Sequence, residues 1–409
     1  MKNTFSFCSR RQFIQTGTAA LAGAALMPAR AVETAAKNFN AKVAIAKCAG
    51  YGPELKAAYA KCFDLLGGIG PLVKGKTVTV KINLTGSDFK KVLGRPVGES
   101  YMTHPATVMA LTSAFFDAGA KRVRFVESTQ LKQELAATLV DAGFDVRALM
   151  ALGKVEAENT RNLGTGKDYS TLKVPFGGYM FESLDFNHCY EDTDVFVSLC
   201  KMKTHATAGI TLTIKNLFGT IPNALYGDDA PDENGVRGRG ILHNMKTFDE
   251  TRTNTLPFDP PGAKAIVLEK HDSGFRIPRI LCDIAAARPI HIGIIDGITS
   301  LSRGEGPWIS DKPQAITSSG VLICGLNPVA TDTVGTLVMG FDNPRAPRGT
   351  TPFEPGDNHL VLSEQAGVGP ADISKIEVLG EPIEKVRSKQ YDHCQLTSSR
   401  LPPGCANIA

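Results

Sequence analysis

Short apolar runs rich in Val and Ile alternate with longer stretches of helical periodicity along most of the chain. Residues 42–47 read as a first strand, 53–66 as a helix and 77–84 as a second, β-branched strand. A helix is expected over 104–118. Pro105 suits its first turn, Val108, Leu111, Phe115 and Phe116 recur at helical spacing, and Gly119 ends it. Residues 122–126 follow as a strand, and 133–142 as a helix stopped by Gly143. This rhythm predicts an α/β fold, a mostly parallel doubly wound sheet with helices on both faces.

The pattern weakens over 151–190, where Gly164, Gly166, Gly177 and Gly178 suggest loops or a small hairpin inserted in the core. It returns with a buried strand at 194–200. Residues 221–272 are poor in periodicity and rich in Pro, Gly, Asp and Asn, as expected of a long excursion over the rim of the sheet. Beyond them a helix is expected at 277–287, strands at 290–295 and 320–324, a helix at 328–339 and a last strand at 376–379. The expected plan is therefore a 1–31 leader, a 32–41 linker, an α/β domain over 42–380 with irregular insertions at 151–190 and 221–272, and a 381–409 tail.

The leader changes the charge picture. Ser9-Arg10-Arg11-Gln12-Phe13-Ile14-Gln15 resembles a twin-arginine export motif, and the 15 residues 13–27, rich in Ala, Gly and Thr, precede Pro28 and the cleavage-like Ala29-Arg30-Ala31. That stretch falls short of the ~20 residues a membrane helix needs. The expectation is recognition by the twin-arginine export machinery, a periplasmic or otherwise exported location, and no stable membrane span after cleavage. The leader holds Lys2, Arg10, Arg11 and Arg30 and no acid, so the rest of the chain carries 41 basic and 41 acidic residues. A neutral mature surface gives no electrostatic reason to expect nucleic acid as a partner.

Eight cysteines remain after the leader, and none forms a C-x-x-C pair. The iron-sulfur, zinc-ribbon and thioredoxin patterns are therefore missing. Cys200 and Cys324 end apolar runs and read as small buried hydrophobes. Cys394 and Cys405 lie in a polar, Pro-rich tail and are candidates for a disulfide in an oxidising compartment.

In doubly wound sheets ligands bind at the carboxyl ends of strands, so polar residues where apolar runs stop carry the chemistry. These are Lys81-Ile82-Asn83, Glu127-Ser128-Thr129, Lys201-Met202-Lys203-Thr204-His205, Asp296-Gly297 and Asn327-Pro328, with Thr103-His104 before a helix and Lys215-Asn216 at the end of another. Lys81, Lys201 and Lys215 would converge on one crevice if their strands were neighbours. Several ammonium groups near a helix N-terminus suit a carboxylate or phosphate, and a crowded lysine can lose its proton and act as a base. His104, His205 and His243 with Glu127, Asp296 or Glu305 could supply a divalent metal with nitrogen and oxygen ligands, although no short H-x-x-x-H spacing supports it. No dinucleotide fingerprint, P-loop or G-x-S-x-G elbow is present.

Lys201-Met202-Lys203-Thr204-His205, continued by Thr211-Leu212-Thr213-Ile214-Lys215-Asn216-Leu217-Phe218-Gly219, closely resembles the central signature of the family labelled domain of unknown function 362. Lys81-Ile82-Asn83-Leu84, Thr103-His104-Pro105, Asp296-Gly297-Ile298, Gly304-Glu305-Gly306-Pro307 and Asn327-Pro328-Val329-Ala330-Thr331-Asp332 follow its pattern in order. The resemblance covers about residues 42 to 380. Ile82, Glu127 and Asn327 depart from the family's usual Lys-Pro-Asn, Gly-Asp-Ser and Asp-Pro. Some relatives carry a ferredoxin module, whose cysteines have no counterpart here. The resemblance implies the fold and the site but no reaction.

The expected function is an exported enzyme for a small anionic substrate. Its catalytic candidates are His205, Lys203 and Lys215, and its substrate-binding candidates are Lys81, Asn83, His104, Thr204, Asn216 and Glu305. The cofactor is unassigned, with a divalent metal as candidate. Two alternatives stay open, a redox protein serving an iron-sulfur or other electron-transfer partner, and a non-catalytic periplasmic ligand-binding protein.

Overall fold

The computed structural model describes residues 39–244, 260–265, 272–307, 314–388 and 391. Arg10, Arg11, Cys394 and Cys405 lie outside the described residues, as do the leader and most of the tail.

The strands are β1 (Lys42–Lys47), β2 (Thr77–Lys81), β3 (Arg122–Glu127), β4 (Val155–Asn159), β5 (Ser170–Lys173), β6 (Ser183–Phe186), β7 (Val195–Lys201), β8 (Lys203–His205), β9 (Gly209–Thr211), β10 (Ile292–Gly297), β11 (Ser300–Ser302), β12 (Ala315–Thr317), β13 (Val321–Gly325) and β14 (Glu377–Gly380). Eight of them form one sheet in the order β14-β1-β13-β10-β7-β2-β3-β4. All neighbours pair in parallel except at β13, which runs antiparallel to both β1 and β10. This is the mostly parallel α/β sheet that the rhythm predicts. Among the described residues three small hairpins, β5–β6, β8–β9 and β11–β12, stand apart from it.

Side-chain alternation sets the layers. In β7, Val195, Val197 and Leu199 pack into one apolar cluster with Leu55, Tyr59 and Phe63 of the helix Glu54–Leu65 and with Val108, Leu111 and Phe115 of the helix Pro105–Asp117. Phe196 and Cys200 face the other way, towards Ile277, Ile280 and Ile284 of the helix Ser273–Ala287 and Val329 and Val334 of the helix Pro328–Val338. Burial on both faces explains why these strands read as continuous apolar runs rather than as alternating ones. Cys200 and Cys324 are fully buried within them.

Local chemistry fixes the helix starts. His104 caps the helix Pro105–Asp117 by accepting from Ala106 N at 3.1 Å. Asn327 caps Pro328–Val338, its Oδ1 accepting from Ala330 N at 3.1 Å. Asp272 accepts from Gly274 N at 2.9 Å, which starts the helix Ser273–Ala287 four residues before the expected 277 and leaves Pro278 inside it.

Two expectations need correction. Residues 151–190 are not wholly an insertion, because β4 is the parallel edge strand beside β3, with Val126 opposite Glu158. Only the hairpin β5–β6 leaves the sheet. The second strand also ends at Lys81 rather than at residue 84. The amides of Asn83 and Leu84 turn to side chains, Thr103 Oγ1 and Glu127 Oε2, both at 2.8 Å.

Candidate functional site

The parallel strands β10, β7, β2 and β3 end on one edge of the sheet, so Asp296, Lys201, Lys81 and Glu127 are carried there together. The segment after β7 adds the hairpin β8–β9, then the four-residue helix Thr213–Asn216 and the turn Leu217–Thr220. A polar cavity of about 100 Å³ opens between these pieces. Four cationic side chains, Lys81, Lys203, Lys215 and Arg239, line it against two carboxylates, Glu127 and Glu305, with His205 beside them. Such a volume suits a small polar molecule, well below the roughly 300–1,000 Å³ of pockets for larger ligands.

The floor is an ion pair. Lys81 Nζ lies 2.6 Å from Glu127 Oε1, both side chains almost wholly buried, and Lys81 also donates to Ile82 O at 2.6 Å and Asn216 Oδ1 at 3.3 Å. Burial pulls the lysine down and pushes the carboxyl up, while each partner opposes the shift of the other. Asn216 clamps this floor, donating to Lys81 O at 3.2 Å and Ser198 Oγ at 3.0 Å. Gly219 has to be small, since a Cβ there would lie 2.5 Å from Glu127 Oε1. On the far wall Arg239 donates to Ser128 Oγ at 2.6 Å and to Ile221 O, and burial lowers it to about 10.

Lys203 and Lys215 differ in kind. Lys203 Nζ has three acceptors, Asn83 Oδ1 at 3.0 Å, Tyr101 O at 2.6 Å and Glu305 O at 3.1 Å. Burial lowers it to about 7, but three acceptors match the three N–H bonds of an ammonium, and an amine would aim its lone pair at a carbonyl. We therefore read Lys203 as a cation tied into the wall. Lys215 makes no hydrogen bond or ion pair with any described residue. Its Nζ lies 4.8 Å from the centroid of Phe218, and burial, opposed by Glu305, lowers it to about 8.

His205 is fixed in one tautomer. Its Nδ1 accepts from the amides of Thr207 at 3.0 Å and Ala208 at 3.2 Å, which places the proton on Nε2. Burial and the neighbouring Lys215 hold it well below its ordinary value, so it is a neutral donor. Nε2 lies 3.8 Å from Glu305 Oε1, beyond hydrogen-bonding reach, while Glu305 Oε2 accepts from Ala206 N at 3.0 Å. Burial raises Glu305. With Nδ1 occupied by two amide donors, His205 suits metal ligation poorly, because Nε2 would have to give up its only proton.

Several predicted residues lie elsewhere. Lys201 does not join the crevice. It is fully buried and pairs with Asp296 at 2.8 Å, and Tyr51 and Thr107 also donate to that carboxylate, at 3.0 and 3.2 Å. His104 stacks on Tyr51, ring centroids 3.5 Å apart, and is held near about 4 by burial and by Lys201. Thr204 is buried and accepts from Gly304 N at 2.9 Å, which positions the loop that carries Glu305. His243 packs edge-on against Phe218 and does not line the cavity. The expected metal set of His104, Glu127, His205, His243 and Asp296 is thus divided between separate places. Sequence reasoning missed Arg239 and Tyr51. Arg239 carries only a weak signal, a basic residue in a glycine-rich segment.

The fold and the site define an α/β protein with a cation-rich pocket at the carboxyl edge of its parallel strands. The chain belongs to the family described as Domain of unknown function (DUF362), whose pattern matches residues 78–336. It is 28% identical over 339 residues to a thylakoid-associated protein of Synechocystis sp., covering 81% of each chain. Among solved structures it is similar to a lactate racemase apoprotein from Thermoanaerobacterium thermosaccharolyticum, with a TM-score of 0.39 and 15% identity, covering 75% of this chain and 58% of that one. A protein from Thermotoga maritima gives a TM-score of 0.34 and 14% identity, covering 72% of this chain and 60% of that one. The chain therefore spans about 58–60% of the length of these two solved chains.

Proposed function

We propose that the protein is an enzyme that binds a small oxyanion, a carboxylate or phosphate, through Lys215 and the Nε2–H of His205, and moves a proton in the same pocket. One observation carries this reading. Two donors with no acceptor among the described residues, Nζ of the half-buried Lys215 and Nε2 of the buried His205, line one cavity whose cations outnumber its carboxylates. Donors that face a polar cavity with no protein partner are free to take an acceptor oxygen from a ligand, and a charge-assisted hydrogen bond to Lys215 is among the stronger kinds. Lys203 and Arg239 add positive charge from positions already fixed by the wall. Lys215, near neutrality, and the raised carboxyl of Glu305 are the groups suited to give and take a proton. His205 stays neutral and donates to the oxygen that gains charge.

The test is deuterium uptake from heavy water, followed by NMR, into a panel of small mono- and dicarboxylates incubated with the full-length protein. Uptake by the wild type that is lost in Lys215→Met supports the reading. Tight binding with no exchange in any compound would make the protein a binding module instead.

We further propose export through the twin-arginine machinery, on the strength of Arg10-Arg11 and the short, mildly apolar stretch behind them. Replacing both arginines by lysine is expected to leave the protein in the cytoplasm; unchanged export would contradict it.

A further inference from the structure

A second polar cluster lies one strand outward from the pocket. Glu158 belongs to the edge strand β4, and His188 and Cys189 occupy the turn His188–Tyr190, which Asn187 caps by accepting from Cys189 N at 2.9 Å. His188 Nε2 lies 2.9 Å from Glu158 Oε1 and 3.7 Å from Cys189 Sγ. One donor atom from each of the three residues lies within 4.8 Å of the others. A tetrahedral zinc, bound to thiolate at about 2.3 Å and to nitrogen or oxygen at about 2.0–2.1 Å, holds its donor atoms about 3.3–3.6 Å apart. The three side chains are therefore close to a ligating arrangement before any ion arrives.

The surroundings fit an ion with one open position. Thr165 is exposed, and its hydroxyl lies 3.1 Å from His188 Nε2 and 2.9 Å from Glu158 Oε2, marking the side that faces solvent. The loop around it is built to lie directly on the cluster. A Cβ at Gly164 would sit 2.3 Å from Glu158 Oε1, and one at Gly166 would sit 2.4 Å from His188 Cδ2. None of these residues lines the pocket described above.

We propose that Glu158, His188 and Cys189 bind one thiophilic divalent cation of the zinc type, with water in the fourth position. One carboxylate and one thiolate neutralise the dication, and the imidazole stays neutral. On binding, the Cys189 S–H bond breaks, a sulfur–metal bond forms and the proton leaves to solvent. Burial pushes the Cys189 thiol up, so the ion has to displace that proton. The ion would tie the loop after β4 to the turn at 188–190. The same loop holds the segment leading to Arg239, since Arg161 and Asn162 both donate to Glu233 O, at 2.8 and 2.9 Å.

The experiment is a titration of EDTA-treated full-length protein with cobalt(II) alone, followed by absorption. The expected result is one equivalent of cobalt with visible d–d bands and a thiolate-to-cobalt charge-transfer band, both displaced by zinc. Cys189→Ala should lose the charge-transfer band, and His188→Gln should weaken cobalt binding at least about tenfold, since even outer partners of metal ligands have effects on that scale. Lys215→Met should titrate like the wild type, which separates this site from the pocket. If Cys189→Ala does not fold, the half-buried His188→Gln carries the test. No cobalt bound, or equal cobalt spectra in wild type and variants, overturns the proposal.

Discussion

Lys203 is fully buried and Lys215 half-buried, and among the described residues only Lys203 has partners for its three N–H bonds. The difference has a measurable consequence for stability. Burial lowers Lys215 from 10.5 to about 8, so between those values the unfolded chain binds more protons than the folded one. Stability of the ligand-free protein from this group therefore rises as pH increases across that window. A bound oxyanion keeps the ammonium charged and flattens the rise, and Lys215→Met removes its share. Urea unfolding at several pH values between about 7.5 and 10 checks all three expectations. The sequence made Lys203, Lys215, His205, Asn83 and Glu305 legible, because polar groups that close apolar runs at the carboxyl edge of a sheet have few other reasons to be there. Lys201 was misplaced for a physical reason. It shares its parity with Val195, Val197 and Leu199 and follows them to the face covered by the helices Glu54–Leu65 and Pro105–Asp117, whereas Lys203 lies past Met202, beyond the end of β7 at Lys201, and belongs to a separate hairpin.

Asp332 holds the element that presents Lys215. The helix Thr213–Asn216 is a single turn, too short to be stable alone. Asp332, on the helix Pro328–Val338, accepts from Thr213 N at 2.8 Å, Thr213 Oγ1 at 2.5 Å and Ile214 N at 2.9 Å, and burial raises it to about 7. Asp332→Ala leaves two buried amides without an acceptor, and each such group costs about 1–3 kcal/mol. The expected loss is about 3 kcal/mol in urea unfolding, together with weaker anion binding because Lys215 is released. Lys215→Met, in contrast, should weaken binding without destabilising the fold. Gly219→Ala tests the floor. Its Cβ would collide with Glu127 Oε1, so a loss of about 1–3 kcal/mol is expected from forced rearrangement around the Lys81–Glu127 pair. The motif containing Asp332 was legible, but its partner lies 119 residues away in sequence, and no local pattern encodes that contact.

The central strands β10, β7 and β2 are flanked on both sides, whereas β4 and β14 are edges. Native-state hydrogen exchange should therefore protect the amides of 195–201, 77–81 and 292–297 most strongly, and those of 155–159 and 377–380 least among the sheet strands. Equal protection across the sheet would argue against this strand order. Fold class was legible because continuous Val- and Ile-rich runs between helices require burial on both faces. Strand order was not, nor was the antiparallel run of β13, since a buried strand reads the same in either direction. β4 escaped notice because Val155-Glu156-Ala157-Glu158-Asn159 is half-exposed at the edge and offers no apolar run.

We propose that Lys215 and His205 together hold a small oxyanion in the pocket. Isothermal titration of the full-length protein with oxalate and with inorganic phosphate, on the wild type and on Lys215→Met, tests it most directly. One site is predicted in the wild type for at least one of the two anions. Its affinity should fall about 10–100-fold in Lys215→Met, the scale of a charge-assisted hydrogen bond, and should weaken as pH rises through about 8. Equal binding by both proteins, or no binding of either anion to the wild type, would contradict the claim.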